Sequence, residues 1–212
     1  MDKKTLTKYI VAFCYGDGFL GKHGKNARFQ ANNIIDNLDY IEWRASILEN
    51  VSGLSMSERV PKIKGWKVLI NTTTHTHPMY TTIWQRLYLN GRKVFDPHYL
   101  KLLDWETLAI LYMDDGTLGC TKQEYKDKTY RNYYPKIATC AYSYGDNLLL
   151  KKAIKDKLGI EFNINRHSRN KRGETTYILS LQANSRERFL SGVEQYILPS
   201  FRYKIYPNDE LL

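Results

Sequence analysis

Cysteine is scarce in this chain: Cys14, Cys120 and Cys140 are widely spaced and form no Cys-x-x-Cys pair. That excludes a disulfide framework and a cysteine zinc ribbon, and points to a reducing intracellular compartment, the cytoplasm or an organelle matrix. No apolar run approaches the length of a membrane span and the first residues, Met1 to Thr7, are polar and charged. Neither secretion nor contact with a membrane is expected. A glycine-rich phosphate loop and a Ser/His/Asp constellation are both missing, and His75-Thr76-His77 has no third ligand at a recognisable spacing for zinc. Acidic residues are also short: 22 Asp plus Glu face 32 Lys plus Arg, leaving +10 and a pI near 9.4. Such a balance favours a polyanionic partner.

What remains is an ordinary globular composition, 42% hydrophobic and 25% charged, with enough chain for one large domain or two compact halves. The positive excess is not a tail. Residues 1–104 hold 15 basic and 9 acidic side chains, residues 105–212 hold 17 and 13, so the halves carry +6 and +4. Tyrosines sit beside basic residues, as in Tyr130-Arg131-Asn132-Tyr133-Tyr134-Pro135-Lys136.

An internal repeat organises the chain. Asp17-Gly18-Phe19-Leu20-Gly21 returns as Asp115-Gly116-Thr117-Leu118-Gly119, each copy preceded by an apolar stretch that reads as the end of a buried helix. A helix over Ile47 to Leu54, ending near Gly53, matches one over Ala153 to Ile160, ending near Gly159; further on, Lys93 matches Lys204. The offset grows from 98 to 106 to 111, which implies insertions in the second copy, most simply in the polar stretch Thr121 to Tyr134. Strands are expected at Arg28 to Asn32 and Trp66 to Thr73, then at Lys136 to Tyr142, Glu161 to His167 and Thr175 to Leu181, the last two joined by a turn at Asn170 to Gly173. The fold class is α/β (α+β): two halves, residues 1–100 and 101–212, each helix-strand-strand-helix-strand-strand-helix with an antiparallel sheet. The join, around Asp96 to Asp104, is short and stiff, so the halves are expected to pack together.

Both Asp-Gly pairs fall where an apolar helix should stop, with Gly18 and Gly116 expected as left-handed caps. An Asp-Gly pair alone reads as a helix end and nothing more. Yet a helix C-terminus carries partial negative charge, and Asp17 at one end with Asp114 and Asp115 at the other is costly unless something positive binds. Small residues, Ala12 and Gly16 in one helix and Ala109 in the other, would let the two helices approach and bring Asp17 and Asp115 together. A hard dication with carboxylate and water ligands, Mg²⁺ with Mn²⁺ as substitute, suits that site better than zinc.

Ile10-Val11-Ala12-Phe13-Cys14-Tyr15-Gly16-Asp17-Gly18 and Leu108-Ala109-Ile110-Leu111-Tyr112-Met113-Asp114-Asp115-Gly116 resemble two copies of the motif that names the LAGLIDADG homing endonucleases. Leu89-Asn90-Gly91-Arg92-Lys93 is similar to the family's Asn-Gly-x-Lys segment, and Tyr196 to Lys204 to its closing helix and Tyr-Lys element. The resemblance implies a monomer with pseudo-twofold symmetry, packed through its motif helices, that binds double-stranded DNA and hydrolyses both strands to short 3′ overhangs. It implies metal binding by Asp17 and Asp115, with Gly16 and Asp114 as their neighbours in the metal-binding set. Lys93 and Lys204 would then complete the catalytic groups, outside the core, stabilising phosphate charge or orienting water.

Recognition is expected on the sheets. Arg28, Gln30 and Asn32 alternate along one strand, and Asn163, Asn165, His167 and Arg169 along another, so each set shares a face. Such side chains make bidentate contacts to guanine and adenine, with Lys64, Lys67 and Lys136 as further DNA contacts. Because the halves differ, the long target should be asymmetric or an imperfect palindrome. Two other readings stand beside cleavage: a maturase that binds intron RNA and assists splicing, and a catalytically inactive DNA-binding regulator of the same fold. Retention of both carboxylates favours cleavage.

Overall fold

A computed structural model describes residues 1–206 apart from Lys64 and Asp127. Its contacts divide the chain into two compact units, Met1–Leu102 with Leu198–Ser200, and Leu103–Ile197 with the residues from Phe201 onward.

In the first unit, helix α1 (Lys3–Tyr15) starts at Asp2, whose carboxylate accepts from the Thr5 N–H at 2.9 Å. Strands β1 (Phe19–His23) and β2 (Asn26–Ile34), helix α2 (Leu38–Leu48), strands β3 (Leu54–Arg59) and β4 (Leu69–Thr74) and helix α3 (Pro78–Leu87) follow. A two-residue ribbon, β5 (Tyr88–Leu89) and β6 (Arg92–Lys93), and the short helix α4 (Pro97–Leu100) complete the unit. The sheet order is β1-β2-β4-β3, all antiparallel. Ala27, Phe29, Ala31 and Asn33 of β2 turn inward with Ile70, Thr72 and Thr74 of β4, so strict alternation sends Arg28, Gln30 and Asn32 to the opposite face. Phe13 of α1 meets Phe29, Tyr40 and Trp43 edge-on. Arg44 of α2 is fully buried in this aromatic core, donating to Asn33 Oδ1 at 2.5 Å with its guanidinium over the Tyr40 ring. The flat cation supplies both packing and a hydrogen bond there.

The second unit repeats that order: helix α5 (Trp105–Asp115), strands β7 (Gly116–Tyr125) and β8 (Lys128–Ile137), helix α6 (Tyr144–Leu158), strands β9 (Phe162–Arg169) and β10 (Thr175–Leu181) and helix α7 (Arg186–Val193). Its sheet runs β7-β8-β10-β9, the same topology as the first. Asp104 and Thr107 form a reciprocal capping box at the start of α5, and Ser143 with Asp146 does the same for α6. Gly159 caps α6 at φ 66°, as its position suggested.

The mixed α/β fold and the antiparallel sheets agree with the sequence reading; several local expectations do not. Helix α2 ends at Leu48 rather than near Gly53, because the Asn50 amide donates to the Ser46 and Ile47 carbonyls and closes the last turn. Strand β4 begins at Leu69, not Trp66. The strand expected at Lys136 to Tyr142 lies mostly earlier, as β8: beyond Ile137, the Ala138 N–H donates to the Asp115 carbonyl at 2.8 Å and the chain leaves the sheet. The polar stretch Thr121 to Tyr134 belongs to a long hairpin in which Gly116 to Tyr125 pairs with Ile137 to Lys128. Strand β10 meets β8 at Leu179–Ile137 and Ser180–Lys136, so the distal hairpin buries neither face and carries no apolar alternation to read.

Candidate active sites and nucleic-acid face

Gly18 and Gly116 are not left-handed caps. Neither has positive φ, and the α5 cap at Gly116 is extended, φ −80° and ψ 152°. Space is the reason for glycine here. A Cβ on Gly18 would lie 2.6 Å from the Phe13 carbonyl oxygen and from the Phe29 ring, and one on Gly116 would lie 2.2 Å from the Tyr112 carbonyl oxygen. The chain must turn from helix to first strand with no side chain in the way, and that turn carries the acid.

In the first unit, α1 closes at Tyr15, the Gly18 N–H donates to the Phe13 carbonyl at 2.8 Å, and Asp17 is exposed. The ribbon β5–β6 turns at Asn90 and Gly91, both at positive φ, 52° and 74°, the Asn-Gly signature of a two-residue hairpin. This turn delivers Lys93, whose ammonium donates to the Gly16 carbonyl at 2.8 Å and the Gly18 carbonyl at 2.7 Å. Lys93 therefore straddles Asp17 along the backbone. The ribbon is tied down by Tyr88, whose hydroxyl accepts from the Leu20 N–H at 3.0 Å and whose ring stands edge-on to Phe19. Burial holds that phenol well above its ordinary pKa, so it stays neutral.

In the second unit, α5 runs through Asp115, leaving Asp114 and Asp115 half-buried. Lys204 lies in the 3₁₀ segment Pro199–Lys204 and donates to the Met113 carbonyl at 2.5 Å and the Asp114 carbonyl at 3.3 Å. Its own carbonyl accepts from the Tyr112 hydroxyl at 2.8 Å. Lys204 was expected outside the core and is instead buried, 8% exposed: a cation enters there because the last carbonyls of a helix need donors and carry partial negative charge.

Each sheet presents one row of residues next to its carboxylate. Across the first sheet the registers align Phe19, Gln30, Thr73 and Ser55; across the second they align Thr117, Lys136, Ser180 and Asn163. Gln30 and Lys136, chosen from different patterns in the sequence, thus hold the same place. Asp17, Phe19, Gln30, Asn32, Arg59 and Asn71 share one cavity of about 540 Å³. Sequence reading missed Phe19, Arg59 and Asn71; the alternation of Asn71 and Thr73 with Ile70 and Thr72 was the available signal for that face.

Arg28 and Asn32 lie on the Gln30 face of β2. Asn165 and His167 continue the Asn163 face of β9, opposite to Phe162 and Ile164, and Arg169 ends the strand beside Thr175. Lys136 holds its ammonium over the Tyr134 ring at 4.5 Å. Lys67 is exposed and paired with Asp36; Lys64 lies outside the described residues. Among the described residues no group of three His, Cys, Asp or Glu side chains converges on a metal position. The donors present are hard oxygens, and the Gly16 and Asp114 carbonyls already accept from lysine, leaving each one lone pair. That set fits Mg²⁺ completed by water and phosphate oxygens.

A model of the LAGLIDADG DNA endonuclease family matches residues 14–189, and the chain belongs to that family. It is 27% identical over 204 residues to the protein RecA of Mycobacterium shimoidei, covering 93% of this chain and 45% of that one. It is 28% identical over 205 residues to the uncharacterized protein MJ1098 of Methanocaldococcus jannaschii, covering 94% and 73%. The chain thus spans less than half the length of the RecA relative. Among solved structures it resembles the homing endonuclease I-WcaI bound to its DNA recognition sequence, with TM-score 0.73 and 21% identity over 96% of this chain and 87% of that one. The I-SmaMI LAGLIDADG homing endonuclease bound to cleaved DNA matches with TM-score 0.55 and 12% identity over 91% and 83%. At such identities the likeness is one of fold, and it agrees with the motif resemblance.

Proposed function

We propose that this chain is a site-specific homing endonuclease that, as a monomer, cuts both strands of a long asymmetric DNA duplex with Mg²⁺ or Mn²⁺. The observation that carries the reading is the duplicated turn: an aspartate at the end of a buried helix, a glycine whose Cβ would press on a helix carbonyl, and a lysine across the backbone. A structural helix end needs one basic group; it does not need a carboxylate beside it in both copies.

The parts divide the work. Asp17 and Asp115 would hold divalent metal, one carboxylate serving each strand's cut, and such an ion would supply polarisation of the scissile phosphate and activation of water. Lys93 and Lys204 fix the carboxylate-bearing turns and offset the negative helix ends, so the acids meet the DNA in a set position. Arg28, Gln30, Asn32, Asn163, Asn165, His167 and Arg169 read base edges from the sheet faces, and the +10 charge draws the duplex in. Challenge with a plasmid library carrying randomised inserts in Mg²⁺ tests the reading. Linear product from one family of inserts is expected, and none in excess chelator. Uncut plasmid with retained binding would favour the inactive regulator, and Mg²⁺-dependent assistance of intron splicing without cleavage would favour the maturase.

A further inference from the structure

The turn between β3 and β4 is unlike the rest of the first unit. Val60, Ile63 and Trp66 are 72%, 58% and 67% exposed within seven residues, while Arg59 and Lys62 beside them are exposed cations. The foot of the loop is anchored: Leu69 pairs with Ile34, the Ile35 N–H donates to the Val68 carbonyl at 2.9 Å, and Lys67 pairs with Asp36. At its tip the Trp66 N–H donates to the Ile63 carbonyl at 3.3 Å, with Gly65 at φ 89°, so a backbone bond links the isoleucine to the tryptophan and both side chains are exposed. A water-soluble surface does not gain by exposing such a pair.

We propose that the Ile63–Trp66 tip is an apolar wedge for duplex DNA: it enters a groove beyond the bases covered by the sheet and leans its indole on sugar and base surface. Charge complementarity selects this occupant. Arg59 lines the same cavity as Asp17, Gln30 and Asn32, so it joins the foot of the tip to the proposed DNA face, Lys62 adds an exposed cation beyond it, and a duplex offers apolar surface only between rows of phosphates. Apolar side chains used in this way widen and bend a groove. The inference rests on the DNA-binding reading above and adds a contact that reads shape rather than base identity.

The other tryptophans, Trp43, Trp84 and Trp105, are half-buried, so Trp66 is the one most open to a soluble quencher. The test takes the whole chain and a mixed-sequence duplex several turns long, without divalent metal so that no strand is cut. Acrylamide quenching and binding are compared for wild type, Trp66→Phe and Trp66→Lys, after checking that thermal unfolding is unchanged. DNA is expected to shield a part of the fluorescence that Trp66→Phe lacks. Both variants are expected to bind about tenfold more weakly, the scale of one lost stacking contact, with the salt slope of Trp66→Phe unchanged. Trp66→Lys separates a wedge from simple attraction, since added charge alone would tighten binding. Equal or tighter binding by Trp66→Lys, with Trp66 still quenchable on the duplex, would overturn the wedge and leave the nuclease reading standing. Failure of the wild type to bind any duplex would overturn both. Shielding of Trp66 that grows with concentration of the free protein would assign the tip to a second copy and overturn the wedge.

Discussion

Lys93 and Lys204 reach the same kind of position by opposite routes. Lys93 comes from a two-residue ribbon, stays half-buried and bridges the carbonyls on either side of Asp17, which is exposed. Lys204 comes from a 3₁₀ segment, is buried, and bonds the last helical carbonyls before Asp115, which is half-buried. The first carboxylate is held on a loop just beyond its helix; the second is the last residue of its helix. Duplication has thus kept the geometry of a clamp while changing what the clamp costs to break. The sheets show the same drift: the first hairpin pairs Phe19 to His23 with Gln30 to Asn26, whereas the second pairs Gly116 to Tyr125 with Ile137 to Lys128. The rows beside the acids read Phe-Gln-Thr-Ser in one unit and Thr-Lys-Ser-Asn in the other.

Substitutions in matched pairs sharpen that comparison. The largest loss is expected at the glycines: Gly116→Ala should cost about 3 kcal/mol and Gly18→Ala about 2, because overpacking against backbone has no cheap relief and the Gly116 clash is closer. Equal midpoints in urea unfolding would remove the distinction. Lys204→Met should cost about 2–3 kcal/mol, since buried carbonyls lose a charged donor, and Lys93→Met about 1, where water can replace it. Both should slow cleavage, each mainly on one strand in a nicking assay. A Lys93 variant as unstable as the Lys204 variant would show that burial is not what separates the two clamps.

Base preference next to the cuts should follow the first rows. Glutamine suits adenine and lysine suits guanine, so Lys136→Gln is expected to lower discrimination on one side of the target by about tenfold, leaving the Gln30 side unchanged. Loss on both sides in a target-profiling selection would mean that the rows do not act separately. The smallest effect belongs to the second unit alone, where Lys155 sits 2.7 Å from Glu161 and holds its carboxyl below the ordinary range. A lowered native pKa gives stability that is present above the unfolded pKa and lost as pH falls through the native one. Glu161→Gln should therefore differ slightly from wild type at neutral pH and low salt, and converge with it in acid. A difference that persists below the native pKa of Glu161 would argue against the pair.

The repeat and the two Asp-Gly turns were legible in the sequence because each follows an apolar stretch, whereas Lys93 and Lys204 were reached as site residues only through the family resemblance. Strand β10 was legible for a similar reason: Thr176, Leu179 and Leu181 are buried within it. The misses share a cause. Strands β1, β3 and the distal β7–β8 hairpin bury few side chains, so their pairing leaves no hydrophobic period, and register comes from backbone bonds that composition does not encode. Gly18 and Gly116 looked like caps because sequence reports that a residue is glycine without saying whether conformation or space requires it. Lys204 looked like a surface residue for the parallel reason: its partners are main-chain carbonyls, which no residue type announces.

In the proposed mechanism the duplicated aspartates hold the metal for cutting while the sheets hold the DNA. The direct measurement is a gel-shift titration beside a cleavage time course, on one target, for wild type, Asp17→Asn and Asp115→Asn. Each variant should bind as well as wild type or slightly better, since one negative charge near the phosphates is gone, with the same steep salt dependence. Cleavage in Mg²⁺ should fall by about a thousandfold or more, because an amide is a poor ligand for a hard dication. Loss of binding in both variants with the fold intact would place these residues in recognition and contradict the account.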